Sequence, residues 1–189
     1  MSCAVGINTG KEIYIGVDSC ASTEDQYEIR QDEKIFKKGP FIIAFVGSFR
    51  MAQILRYSVK FPKQTMKDDF QYLCTVFIDR VRGSLHKNGC LMVDPETKTE
   101  AMDGSLLLAY KKKLYCIDED FQVGVVTSKY NSIGSGSPYA LGSLYTTEKL
   151  NLDPEERINL ALESASKFST SVTPPFTILS IKGRSKYKL

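Results

Sequence analysis

The chain has 189 residues, 42% of them hydrophobic, enough for one domain with a sizeable core spanning 1–189. Basic residues number 25 and acidic residues 22, so the net charge of +3 implies no polyanionic partner such as nucleic acid. No stretch approaches the roughly 20 apolar residues of a membrane span, and no secretory pattern follows Met1, so a cytoplasmic, soluble protein with reduced thiols is expected.

Met1 is followed by Ser2 and then by an apolar run, Cys3-Ala4-Val5-Gly6-Ile7. Cys3–Ile7 and Glu12–Val17 flank the turn signal Asn8-Thr9-Gly10 and predict a hairpin. Glu33–Lys37 and Phe41–Val46 flank Lys38-Gly39-Pro40 and predict a second. Phe41–Val46 is apolar at every position, as in a strand covered on both faces. Met51, Ile54, Leu55 and Val59 have helical spacing, and Phe70, Leu73, Cys74, Phe77, Ile78 and Val81 continue it in a second helix. Strands return at Ser105–Tyr110 and Lys113–Ile117, and Phe121–Val126 and Ser132-Ile133 read as extended. A helix from about Pro138 follows, then one opened by Asp153-Pro154-Glu155-Glu156, where the early proline and acidic first turn mark an N-terminus. Phe176–Ile181 reads as a closing strand and the basic run 182–188 as a solvated tail. Helix pairs alternating with strand groups predict an α+β protein with antiparallel sheets between helical layers.

Conventional catalytic sets are scarce. The five cysteines, at 3, 20, 74, 90 and 116, lack CxxC spacing, so neither a zinc site nor a disulfide framework is expected. No metal or cofactor is expected. His86 is the single histidine and reads as a surface residue, which leaves Ser–His–Asp and Cys–His chemistry without a base. Gly134-Ser135-Gly136-Ser137 lacks both the P-loop ending and GxGxxG spacing; it reads as a backbone nest or a serine donor.

Ser2 offers another route. With Met1 removed it carries a hydroxyl and a free α-amine, and such an amine can serve as base for its own side chain. Asp18 ends the second predicted strand, where a carboxylate is often a turn or capping residue. Lys34 lies in a strand-like segment, where an exposed edge lysine is the simpler reading. Together they allow a buried ion pair whose cation lowers the pKa of a neighbouring amine. Gly47 ends the apolar strand; it is either a simple turn or an amide aimed at a developing oxyanion.

These residues, in this order, resemble the proteasome β-subunit family of N-terminal nucleophile hydrolases, including the bacterial HslV-type peptidase. MSCAVGI resembles the family's N-terminal strand and puts Ser2 at the nucleophile. "IGVDSCAS" puts Asp18 at the charge partner and Ser22 at a position binding substrate backbone. Lys34 falls at the catalytic lysine, "IAFVGS" puts Gly47 at the oxyanion glycine, and "GSGSPYALG" puts Ser135 at the active-site serine. The resemblance implies a four-layer αββα sandwich, a homo-oligomeric ring, protein or peptide substrates and an ATP-dependent unfoldase partner. Three departures accompany it: serine replaces the usual threonine, Met1 must leave, and Lys167 falls near a supporting aspartate, with Thr170 near its companion serine. The implied function is a peptidase subunit using Ser2. The alternatives are a non-catalytic subunit of the same assembly and a small-molecule amidase.

Overall fold

The computed structural model describes residues 2–23 and 25–180 and the backbone of strand 184–187. Met1 and Ile181 of the expected closing strand lie outside the described residues.

Two five-stranded antiparallel sheets form the centre. In the first, β1 (Ala4–Asn8) and β2 (Ile13–Val17) make the expected hairpin, with Ala4 opposite Val17. It is extended by β12 (Tyr130–Ile133) beside β1, and by β13 (Phe176–Ser180) and β14 (Arg184–Tyr187) beyond β2. The basic run expected as a tail thus supplies an edge strand, because β13 otherwise has an open row of backbone donors and acceptors. The second sheet has the order β11 (Val123–Val125), β10 (Lys113–Ile117), β9 (Gly104–Tyr110), β6 (Phe41–Gly47) and β5 (Ile35–Lys38). Two short hairpins, β3 (Cys20–Ser22) with β4 (Tyr27–Ile29) and β7 (Leu91–Val93) with β8 (Glu100–Met102), were not legible as strands.

Strand alternation sorts the side chains into layers. In β6, Ile42, Ala44 and Val46 enter the core between the sheets, where they join Ala4, Ile15, Val17, Leu107 and Leu114. Phe41, Ile43 and Phe45 point the other way, into a core with Met51, Leu55, Tyr72, Phe77 and Val81. On the first sheet, Cys3, Val5 and Ile7 face Ala140, Leu144, Ile158 and Leu162. The result is the αββα sandwich.

The predicted helices are present. One comprises α1 (Phe49–Gln53), running into a π-helical turn at Ile54–Ser58; the next comprises α2 (Asp69–Tyr72), a π-helical turn at Leu73–Phe77 and α3 (Ile78–Lys87). Val59 N–H reaches Ile54 O at 3.1 Å, the long step of a π turn. On the other face lie α4 (Ser137–Thr147) and α5 (Pro154–Phe168). Arg157 joins them: it is 9% exposed and donates to Leu144 O at 2.8 Å and Thr147 Oγ1 at 3.3 Å. Truncating it removes both of these buried hydrogen bonds. Arg157→Ala is expected to lower unfolding free energy by about 2 kcal/mol, read from urea denaturation.

Candidate active site

Three backbone ends converge. The β1–β2 register sets Asp18, just past β2, beside the residues that precede β1. Its carboxylate accepts from Cys3 N at 2.9 Å and from Cys20 N at 2.8 Å, which ties the start of β1 to the start of β3. Lys34 arrives from the second sheet, immediately before β5. Its carbonyl accepts from Phe45 N at 3.0 Å, while the Arg56 guanidinium holds the flanking carbonyls of Glu33 and Ile35. That guanidinium also covers part of an open sheet edge.

The Lys34 ammonium lies 2.8 Å from Asp18 Oδ2 and 2.7 Å from Ser2 Oγ. All three residues are buried, at 1%, 1% and 2% exposure for Lys34, Asp18 and Ser2. Burial pushes the Asp18 carboxyl above its ordinary value, while the Lys34 charge and the two backbone donors act in the opposite direction. The lysine expected at worst on an exposed edge is therefore enclosed, and the aspartate is more than a turn residue.

The serine loop closes over Ser2 from the other side. Ser2 N donates to Ser135 Oγ at 3.3 Å, and Ser135 Oγ lies 3.3 Å from Ser2 O. Gly136 N also donates to Ser2 O, at 3.2 Å. Gly134 has φ +93°, and a Cβ there would sit 2.3 Å from Ser2 O and 2.9 Å from Val46 Cγ1. Only a residue without a side chain permits that approach. Gly134 thus lies against both Ser2 and Val46, the residue before Gly47 in β6. Gly47 has φ +98°, and a Cβ there would sit 2.4 Å from Asp103 O. Its glycine identity is thus required by the backbone.

The late support differs from the expectation. Lys167 ends α5 and is exposed, and Thr170 is exposed too. The hydroxyl that meets Ser135 belongs to Ser171, at 2.9 Å, and Ser169 Oγ follows at 3.0 Å. The reason is local: Ser169 leaves α5 extended, with φ −127° and ψ 123°, and Val172 N–H donates to Ser169 O at 3.4 Å, closing a turn over Thr170 and Ser171 in which Ser171 Oγ lies 3.0 Å from Ser169 Oγ. Ser22, in β3, is not bonded to this cluster; its Oγ is buried without a hydrogen-bond partner among the described residues.

Nearby groups narrow the choice of nucleophile. Burial pushes the Cys3 thiol up to about 12, so it stays protonated and unreactive at neutral pH. His86 is exposed near the end of α3 and lies 4.0 Å from Glu100. A small cleft lined by Asp32, Phe45, Phe49, Gln53, Arg56 and Tyr57 adjoins the site, with the Phe49 ring centroid 5.8 Å from Lys34 Nζ. Among the described residues no group of His, Cys, Asp and Glu is arranged to hold a metal, and no helix is long and apolar enough to cross a membrane.

Solved structures share this fold over nearly the whole chain. BPH of Thiobacillus denitrificans, in complex with epoxomicin, aligns with a TM-score of 0.79 at 22% identity, covering 95% of this chain and 97% of that one. Eukaryotic HslV from Trypanosoma brucei aligns with a TM-score of 0.67 at 14% identity, covering 94% and 98%. Anbu, an ancestral β-subunit from Yersinia bercovieri, aligns with a TM-score of 0.69 at 13% identity, covering 97% and 86%. The sequence itself matches no family model and no curated protein. The fold is that of the N-terminal nucleophile hydrolases of proteasome-like type.

Proposed function

We propose that this chain, as one unit over 1–189, is a proteasome/HslV-like peptidase subunit that hydrolyses peptide bonds with Ser2. The observation that carries the reading is the buried contact of Ser2 Oγ with the Lys34–Asp18 pair, with Ser2 N on Ser135. The ammonium favours the neutral form of an adjacent α-amine, which then accepts the proton of Ser2 Oγ. Oγ attacks the peptide carbonyl, and the Gly47 N–H stabilises the oxyanion. As the intermediate collapses, the α-ammonium returns its proton to the departing amine. Water then cleaves the Ser2 ester with the same amine as base. Ser22 Oγ, without a hydrogen-bond partner among the described residues, bonds substrate backbone, and the cleft at Phe49 takes a substrate side chain.

Homo-oligomeric rings follow from the same reading, as does an ATP-dependent unfoldase partner. The test is covalent labelling. A peptide electrophile, with epoxomicin as a second probe, is expected to add its mass to the N-terminal peptide of chains beginning at Ser2. Full retention of Met1 in protein purified from its own cell, together with no labelling, would favour a non-catalytic subunit. Labelling by small amides but not peptides would favour an amidase.

A further inference from the structure

We propose, resting on the reading of the Phe49 cleft as the seat of a substrate side chain, that Arg30 sets what that seat accepts. Arg30 masks the Asp32 carboxylate, so the cleft takes an uncharged apolar side chain of leucine size and turns away a basic one. The lining alone invites the opposite conclusion. Asp32 and Glu33 both belong to it, against the one cation of Arg56. Acids beside apolar rings suit the long stem and charged head of lysine or arginine.

Arg30 stands behind that lining and reaches it twice. Its Nε and Nη2 donate to Asp32 Oδ1 and Oδ2 at 2.6 and 2.7 Å, a fork that uses both carboxylate oxygens. These bonds hold the Asp32 carboxyl below its ordinary value, so at neutral pH the acid is ionised and already paired. Nη1 lies 3.3 Å from Glu28, on the exposed side. The guanidinium carbon is also 4.4 Å from the centroid of the Phe49 ring, a cation–π distance, and Phe49 meets Phe45 edge-on at 5.4 Å. The backbone fixes Arg30 for both contacts, since its N–H donates to Ser19 O at 2.9 Å. The two acids of the lining are then matched by two guanidiniums, Arg30 and Arg56, and selection falls to size and apolarity. The open space is about 60 Å³. At roughly 10–15 Å³ for each water-sized group, it holds ~4–6 heavy atoms. Leucine or methionine fits; arginine or tryptophan overruns it.

The test reads binding, not turnover, on the full chain carrying Ser2→Ala. N-acetyl tripeptide amides that differ only in the last residue (leucine, arginine or tryptophan) compete in saturation-transfer NMR. The leucine peptide is expected to bind at least ~10-fold more tightly than the other two. Adding Arg30→Leu bares Asp32 and is expected to raise affinity for the arginine peptide at least ~5-fold. A merely structural role for Arg30 would weaken all three peptides. Arg30→Leu combined with Asp32→Asn is expected to cancel that gain, and Arg30→Lys, which keeps a cation on Asp32, to preserve the original order. Asp32→Asn alone leaves Arg30 without its partner carboxylate and is expected to weaken the arginine peptide further. A preference for arginine before any change at Arg30 would overturn the assignment. So would an arginine-to-leucine ratio that Arg30→Leu leaves unchanged, or no binding of the leucine peptide. Selective binding without hydrolysis by chains beginning at Ser2 would remove the peptidase reading and leave the role of Arg30 standing.

Discussion

Replacing Ser2 by alanine is expected to lower peptide turnover by at least ~10⁴-fold while leaving the chain folded. The substitution removes the attacking oxygen and one hydrogen bond from Lys34. Lys34 keeps its pairing with Asp18, so the stability loss should be near 1 kcal/mol. Ser2→Thr supplies the same oxygen on a β-branched side chain and is expected to retain turnover. Initial rates on a fluorogenic peptide, with denaturation curves alongside, check both. A processed Ser2→Ala chain that turns over substrate at the parent rate would remove Ser2 from the mechanism.

Lys34→Met has a second large effect, on chemistry and on stability. Turnover should fall ~10³-fold or more, because the cation beside Ser2 and its influence on the amine are lost. Stability should fall by about 3–5 kcal/mol, since the substitution leaves Asp18 buried without its cation. Its pH dependence has a definite sign. Burial already holds the Asp18 carboxyl up, and Lys34 is the leading influence pulling it down. Without Lys34 it rises further. A carboxyl raised by folding adds stability that is complete below its unfolded value of about 3.9 and is lost as pH rises through its folded value. The variant should therefore be more stable in mild acid than in mild alkali, with a wider gap than the parent. Asp18→Asn in the same background should close that gap. Urea midpoints across the range measure it; a Lys34→Met chain whose stability does not fall with pH would mean that Asp18 is not the group left exposed to burial.

Much of this was legible before folding was considered, for reasons that are local. The unbroken apolar run Phe41–Val46 and the turn Asn8-Thr9-Gly10 depend on near neighbours, and both hairpins are present. Ser2, Asp18, Lys34 and Ser135 stood out by residue type and order, and the structure brings all four into one hydrogen-bonded cluster. What escaped was decided by context. The β3–β4 and β7–β8 hairpins are too short to carry a period. The basic run near the C-terminus has no apolar pattern, yet the open edge of β13 recruits its backbone. Ser171 was missed in favour of Thr170 because the choice depends on how the chain turns after Phe168.

The sequence by itself determined the alternation of strands and helices, the two-sided character of β6 and the set of residues able to act with an N-terminal serine. Each follows from side-chain period, turn chemistry or functional group, which neighbouring residues define. Only the tertiary structure decided that Lys34 is buried rather than exposed on an edge, that its ammonium touches Ser2, and that Ser171 stands behind Ser135. Those outcomes need two sheets stacked face to face and a loop closed over Ser2. They join residues 32 and 133 positions apart in the chain, a separation over which local pattern carries no information.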